Sequence, residues 1–322
     1  MARKIILHIG ASKTGSSAIQ AFIRANLDFF NAQGFVIPDR MMGLTTKITG
    51  EHVMSLQELA TDPDPARIND AFRLLRDKPA KDKTILISAE NLCNLGLHRR
   101  FADALEGFDA SVVLYIRRQD ELLTSAWQQW HSKLESDFNA WLLKGLRHYG
   151  HWDRVIDQWE SVVGKGRVTV RLFDRAEMVE GDLLRDFLHC LGLDPKTDEP
   201  EFDIGSVNPS YSDIITPLVA GNRDIFRDSH DSAFYNMVGQ LTGGSYVETR
   251  KTSLMSRDQR ESVLFYYRDI NQRVCKAHFP GRSHLFAPVN HEKYQYLDAD
   301  DLQQKQLKFL THMIFKLYQR KG

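Results

Sequence analysis

The sequence predicts an α/β fold of three layers around a mostly parallel central sheet of about five strands, with extra helices in its C-terminal part. Three observations lead there. Short apolar runs recur at residues 5–9, 35–37, 84–88, 111–116 and 168–173. Most are followed by segments with helical periodicity, and the first runs straight into a Gly/Lys/Ser turn. Alternation of this kind builds parallel sheets, because a strand reaches a parallel neighbour only through a crossover.

The first helix is the clearest: Ile19, Phe22, Ile23, Leu27 and Phe30 fall on one face, Ser16 or Ser17 is placed to cap its start, and Gly34 ends it. Residues 45–81 are polar, with Pro63, Pro65 and Pro79 punctuating two expected helices that would form a flap. Beyond Pro195 the strand pattern fades, and residues 211–223, 257–278 and 301–320 read as helices. The expectation is therefore one domain, 1–322, in which an α/β core of residues 1–195 carries a mainly helical cover of residues 196–322. In an open sheet of this class ligands bind beyond the carboxyl ends of the strands, which singles out the loops beginning at Gly10, Ala89, Arg117 and Asp174.

Composition narrows the partners. Over 322 residues, 42 basic side chains balance 42 acidic ones, so no global field draws nucleic acid or an anionic membrane, and any basic site must be local. The apolar run after Arg3 and Lys4 is interrupted by His8 and is too short for a secretory signal. No stretch approaches the roughly 18 to 20 apolar residues of a membrane span. Cys93, Cys190 and Cys275 are far apart, odd in number and form no CxxC pair, which points to buried thiols in a reducing cytoplasm and to no metal site.

Two constellations carry chemistry. From Gly10 to Ser17 the chain has the two glycines of a Walker A loop, yet Lys13 precedes the second glycine and Ser16 and Ser17 follow it, which disfavours an ordinary ATP or GTP site. Backbone N–H groups at a helix start, the hydroxyls of Thr14, Ser16 and Ser17 and the Lys13 ammonium still converge around Gly15 as an anion cradle. The second constellation is Arg117, delivered by the end of a buried strand, with Ser125 eight residues on and about two turns into the next helix. A guanidinium and a hydroxyl so placed can grip one phosphate together.

Together these elements resemble the signature of the sulfotransferases that use 3′-phosphoadenosine 5′-phosphosulfate (PAPS). In that family a strand–loop–helix K-[ST]-G-[ST]-[ST] holds the 5′-phosphosulfate, and a later R-x7-S holds the 3′-phosphate. Here the first is Lys13-Thr14-Gly15-Ser16-Ser17 and the second is Arg117 with Ser125. Residues 183–193 are similar to the family's helix ending in a leucine–glycine turn. The KTGSS loop and the run from Arg117 to Glu121 are most similar to bacterial cytoplasmic members that sulfate carbohydrates or related glycoconjugates. The resemblance implies a P-loop-like fold, PAPS as donor, adenosine 3′,5′-bisphosphate (PAP) as product, no metal, and a carbohydrate or glycoconjugate acceptor.

It also implies roles for single residues. Lys13 would neutralise charge growing on the bridging oxygen. Glu90, just after residues 84–88, would serve as general base, as a glutamate in that region often does in carbohydrate-acting members. His52 is the rival base, since the cytosolic branch uses a histidine. Ala18 stands where cytosolic members place an aromatic residue on adenine, so adenine must be held otherwise. Arg250 and Lys251 are preferred over the terminal Arg320-Lys321-Gly322 as the third 3′-phosphate contact. Trp127, Gln128, Gln129, Trp130 and His131 suit either sugar rings or a helix–helix interface, and His8 is expected to be buried against the sheet. The competing functions are a P-loop kinase-like phosphotransferase and a non-catalytic nucleotide- or polysaccharide-binding protein.

Overall fold

Residues Arg3–His8 form strand β1, whose alternate side chains Ile5 and Leu7 are buried on one face while Ile6 and His8 face the other. The coordinates are a computed structural model and describe residues 2–39, 42, 56, 59, 62–64, 66–77, 82–194, 200–204, 212–242 and 251–320. After β1 come α1 (Ser16–Ala25), α2 (Leu27–Ala32), β2 (Phe35–Val36), α3 (Ala66–Asp77), β3 (Thr84–Ser88) and β4 (Phe108–Ile116). Then follow α4 (Gln119–Gln129), α5 (Phe138–His148), α6 (Trp152–Val163), β5 (Val168–Leu172) and α7 (Leu183–Cys190). The remainder contributes α8 (Ile215–Val219), α9 (Ala233–Thr242), β6 (Lys251–Thr252), α10 (Arg257–Tyr266), α11 (Arg268–His278), β7 (Tyr294–Gln295) and α12 (Ala299–Gln319).

The five expected strands form one wholly parallel sheet in the order β2-β3-β1-β4-β5. β1 lies at its centre, with His8 in register with Ser88 on one side and Val113 on the other. Both faces are covered, as a parallel sheet requires. On one side Ile19, Phe22 and Ile23 of α1 and Phe187 and Leu188 of α7 pack with Leu86, Val113 and Tyr115 of the strands. On the other, α6 packs on β4 and β5, while Phe72 of α3 and Trp159 of α6 meet the ring of Phe101.

Two features of the first helix differ from expectation. Ser16 and Ser17 lie inside the first turn: Gly15, at φ +82°, is the N-cap, and no side chain caps the helix. The continuous apolar face is also broken at Asn26, whose amide donates to the carbonyls of Phe22 and Glu201, both at 2.9 Å, so that two short helices replace one. The apolar period stays in phase across the break, which is why it leaves no trace in the sequence.

Internal packing divides the chain into two units: Met1–Arg117, His151–Asn208 and Ile270–Ser283 make one, and Arg118–Gly150, Pro209–Asp269 and His284–Gly322 make the other. The first holds the five-stranded sheet. The second is mainly helical, with a core of Ile215, Val219, Phe226, Tyr235, Val238, Leu241, Phe309 and Met313. It also holds the two-residue parallel pair β6–β7, too short to leave a sequence signal. Within it, Arg260 is buried against Asp120, donates from Nη2 to Ser253 Oγ at 2.7 Å and lies 3.9 Å over the Tyr294 ring. Arg118 donates from Nε to the same carboxylate at 2.7 Å. Burial disfavours the charge on Arg260, but Asp120, with Tyr294 and Tyr296, outweighs it and holds the guanidinium above its ordinary pKa. Among the described residues no helix is long and apolar enough to cross a membrane, and no group of three or more His, Cys, Asp or Glu side chains is placed to hold a metal ion.

Candidate functional site

The sheet ladder runs to the base of the Gly10 loop. Ile9 N–H donates to the Val113 carbonyl at 3.0 Å, and Ala89 N–H donates to that of His8 at 2.9 Å. The chain then leaves the sheet and closes a tight loop around the carbonyl of Ala11. That oxygen accepts from Thr14 N–H at 3.2 Å, from the Thr14 hydroxyl, and from the Ser16 hydroxyl at 3.3 Å. In this arrangement the Thr14 hydroxyl, fully buried, shapes the loop.

Lys13 and Gly15 both have left-handed backbones, at φ +69° and +82°. Left-handed residues placed this way are the pattern from which concave arrays of backbone N–H groups are built. At position 15 any side chain is strained by the left-handed backbone, and a Cβ there would lie 2.3 Å from Leu183 Cδ2 and 3.0 Å from Phe173 Cε2. The loop opens directly into α1, whose first turn carries no acidic residue and no side-chain cap, so the positive end of the helix is uncompensated from within.

Arg117, 104 residues away in sequence, is brought to this loop. It emerges where β4 ends, and its Nη1 donates to the Lys13 carbonyl at 3.0 Å. The guanidinium carbon lies 5.5 Å from the Phe173 ring centre, and the Arg117 carbonyl accepts from Trp152 Nε1 at 3.1 Å. Two cationic residues, Lys13 and Arg117, thus share the carboxyl edge of β1 and β4 with an open helix N-terminus. Such a set suits a phosphate or sulfate group.

The other expected site residues divide in four ways. Glu90 follows β3 directly and opens a one-turn 3-10 helix, Glu90–Cys93, at the same edge of the sheet; its side chain lies outside the described residues. Ser125 is half-buried in α4 of the second unit. His52 and Arg250 lie outside the described residues, as do Lys321, Gly322 and the side chain of Lys251, whose backbone begins β6. Trp127 is buried, with Phe138 and Trp141 packed at ring distances of 5.4 and 5.5 Å, so its ring is core and does not face a sugar. Phe173 and Trp152, which position Arg117, were not singled out in the sequence. Phe173 had a signal, as the last residue of the final apolar run; Trp152 had none.

No family model matches the chain. An uncharacterized protein of Archaeoglobus fulgidus is 25% identical over 226 residues, which are 68% of this chain and 60% of that protein. The chain thus spans about 60% of the length of the relative it matches. Two solved structures are similar to the chain. One, from Alicyclobacillus acidocaldarius, is 18% identical with a TM-score of 0.47 and covers 88% of this chain and 98% of its own. The other, mouse SULT7A1 complexed with PAP, is 12% identical with a TM-score of 0.36 and covers 82% of this chain and 89% of its own. Both are sulfotransferases. The chemistry of this chain rests on the loop and Arg117.

Proposed function

We propose that the chain is a PAPS-dependent sulfotransferase whose donor site is built on the loop from Gly10 to Ser17. The observation that carries this reading is the hydrogen bond from Arg117 to the Lys13 carbonyl. It joins the two halves of the expected signature at one edge of the sheet. In this reading Lys13, the N–H groups at Gly15 to Ser17 and the hydroxyls of Ser16 and Ser17 hold the phosphosulfate, while Thr14 keeps the loop closed. Arg117 holds the 3′-phosphate, and the sequence pattern assigns Ser125 to the same group, with Arg250 and Lys251 as further contacts.

Transfer is in-line. An acceptor oxygen or nitrogen forms a bond to sulfur, the bond from sulfur to the bridging phosphate oxygen breaks, and PAP departs with the electron pair. The acceptor proton passes to Glu90, or to His52, as general base. Lys13 stabilises charge on the departing oxygen. Carbohydrate or glycoconjugate hydroxyls are the acceptors we propose, on the resemblance of the KTGSS loop and the Arg117–Glu121 run.

Titration of the purified protein with PAP, adenosine 5′-phosphosulfate and ATP–Mg²⁺ tests this. PAP binds most tightly, and Lys13→Ala and Arg117→Ala each weaken it by about 10- to 150-fold, the equivalent of one lost charge-assisted contact. Binding of ATP–Mg²⁺ as tight as that of PAP overturns the reading. Transfer of labelled sulfate from PAPS to glycans, lost in Glu90→Gln, then addresses acceptor and base together.

A further inference from the structure

His8 is fully buried in the central strand, directly under the Gly10 loop. Its Nδ1 lies 2.8 Å from the hydroxyl of Ser88, its register partner on β3, and its ring packs edge-on to Phe187 at 5.4 Å and Tyr115 at 6.0 Å. The ring is thereby fixed in orientation. Its other nitrogen, Nε2, makes no hydrogen bond among the described residues. It is aimed at the loop: a Cβ on Gly10 would lie 2.7 Å from His8 Nε2 and 2.7 Å from Ser16 Oγ. Gly10 therefore leaves open the space between these two polar atoms. A phenylalanine or leucine would pack among those rings without a buried polar atom, so an imidazole there needs an explanation.

Resting on the sulfotransferase reading of the loop, we propose that His8 is a positioning residue: when an anion occupies the loop, His8 Nε2–H donates to Ser16 Oγ and turns the Ser16 hydroxyl toward the ligand. In this structure Ser16 leans on the Ala11 carbonyl at 3.3 Å, a long bond that a phosphosulfate oxygen readily replaces. The order of donors is then Ser88 hydroxyl to Nδ1, Nε2–H to Ser16, and Ser16 hydroxyl to the anion, each bond polarising the next. Burial holds the imidazole neutral, with a pKa of about 3, so it has one donor and one acceptor nitrogen at any working pH.

The test compares PAP affinity in the wild-type protein, His8→Asn and His8→Gln, each with and without Ser16→Ala. The Gln amide reaches the Nε2 position and the Asn amide only that of Nδ1. His8→Asn binds PAP about 5- to 20-fold more weakly, His8→Gln stays within about threefold, and in the Ser16→Ala background His8→Asn adds less than about twofold, as expected for one coupled hydrogen bond. Long-range ¹H–¹⁵N spectra of the wild-type imidazole give a readout that needs no variant. They show the Nε2–H tautomer, with its proton resonance shifting at PAP saturation. An Nδ1–H tautomer in the PAP complex, equal losses in the Asn and Gln variants, or a full loss in the Ser16→Ala background overturns the proposal. If the wild-type protein binds PAP and His8→Asn binds it equally, this inference alone falls; if the wild-type protein does not bind PAP, the donor-site reading falls with it.

Discussion

His8 makes the stability of the fold sensitive to mild acid. Its side chain stays neutral in the folded protein down to a pKa of about 3, whereas in an unfolded chain it takes a proton near 6.5. Between those values the unfolded state binds the proton and the folded state does not. Stability therefore falls as pH drops through this window, by about 1.4 kcal/mol per pH unit from this one group, and is flat with respect to it above pH 7. His98 and His131 are also lowered, mainly by burial, so the difference between wild-type and His8→Gln isolates the term. Urea denaturation at pH 7 and pH 5 shows that difference shifting against the wild-type protein at pH 5. At this scale the sequence was informative where chemistry and position coincide: Lys13, Gly15 and Arg117 were legible from residue type and spacing. The ring of Phe173 beneath Arg117 and the upward-facing nitrogen of His8 depend on strand register, which one strand alone does not display.

Among elements, the joint between α1 and α2 shows how a single amide sets geometry. Asn26 is buried, donates to the carbonyls of Phe22 and Glu201, and accepts from Glu201 N–H at 2.6 Å. Asn26→Leu keeps the apolar volume but leaves the Glu201 backbone unsatisfied. We expect it to cost about 1–3 kcal/mol, read from the shift of the urea midpoint. The five strands were legible because each is a compact apolar run rich in Ile, Leu and Val, and their ends moved by no more than three residues: β4 begins at Phe108 where 111 was expected. Helix ends were less so. The serine hydroxyls at positions 16 and 17 have the chemistry of caps, but the left-handed Gly15 takes that place and frees Ser16 for the loop.

For the molecule as a whole, the second unit depends on a buried charge network that sequence order scatters. Asp120 and Arg118 are adjacent to Arg117, but Arg260 comes 140 residues after Asp120, and its side chain is only 2% exposed. Removing one partner strands the others in a medium that cannot solvate them, so Arg260→Met is expected to cost about 3–5 kcal/mol, measured by calorimetry or urea denaturation. Such a network was not legible, because an arginine in a polar helical segment looks like solvated surface. The parallel order β2-β3-β1-β4-β5 has a further consequence, in time. β1 gains its first neighbour only after the 80 residues separating His8 from Ser88 exist, and the loop gains Arg117 only after 104. At ribosomal speeds of about 5–20 residues per second, the strand that leads into the Gly10 loop waits unpaired for roughly 4 to 16 seconds. During biosynthesis the strand that leads into the loop, Ile5 to Ile9, is thus an exposed apolar segment and a client for a chaperone.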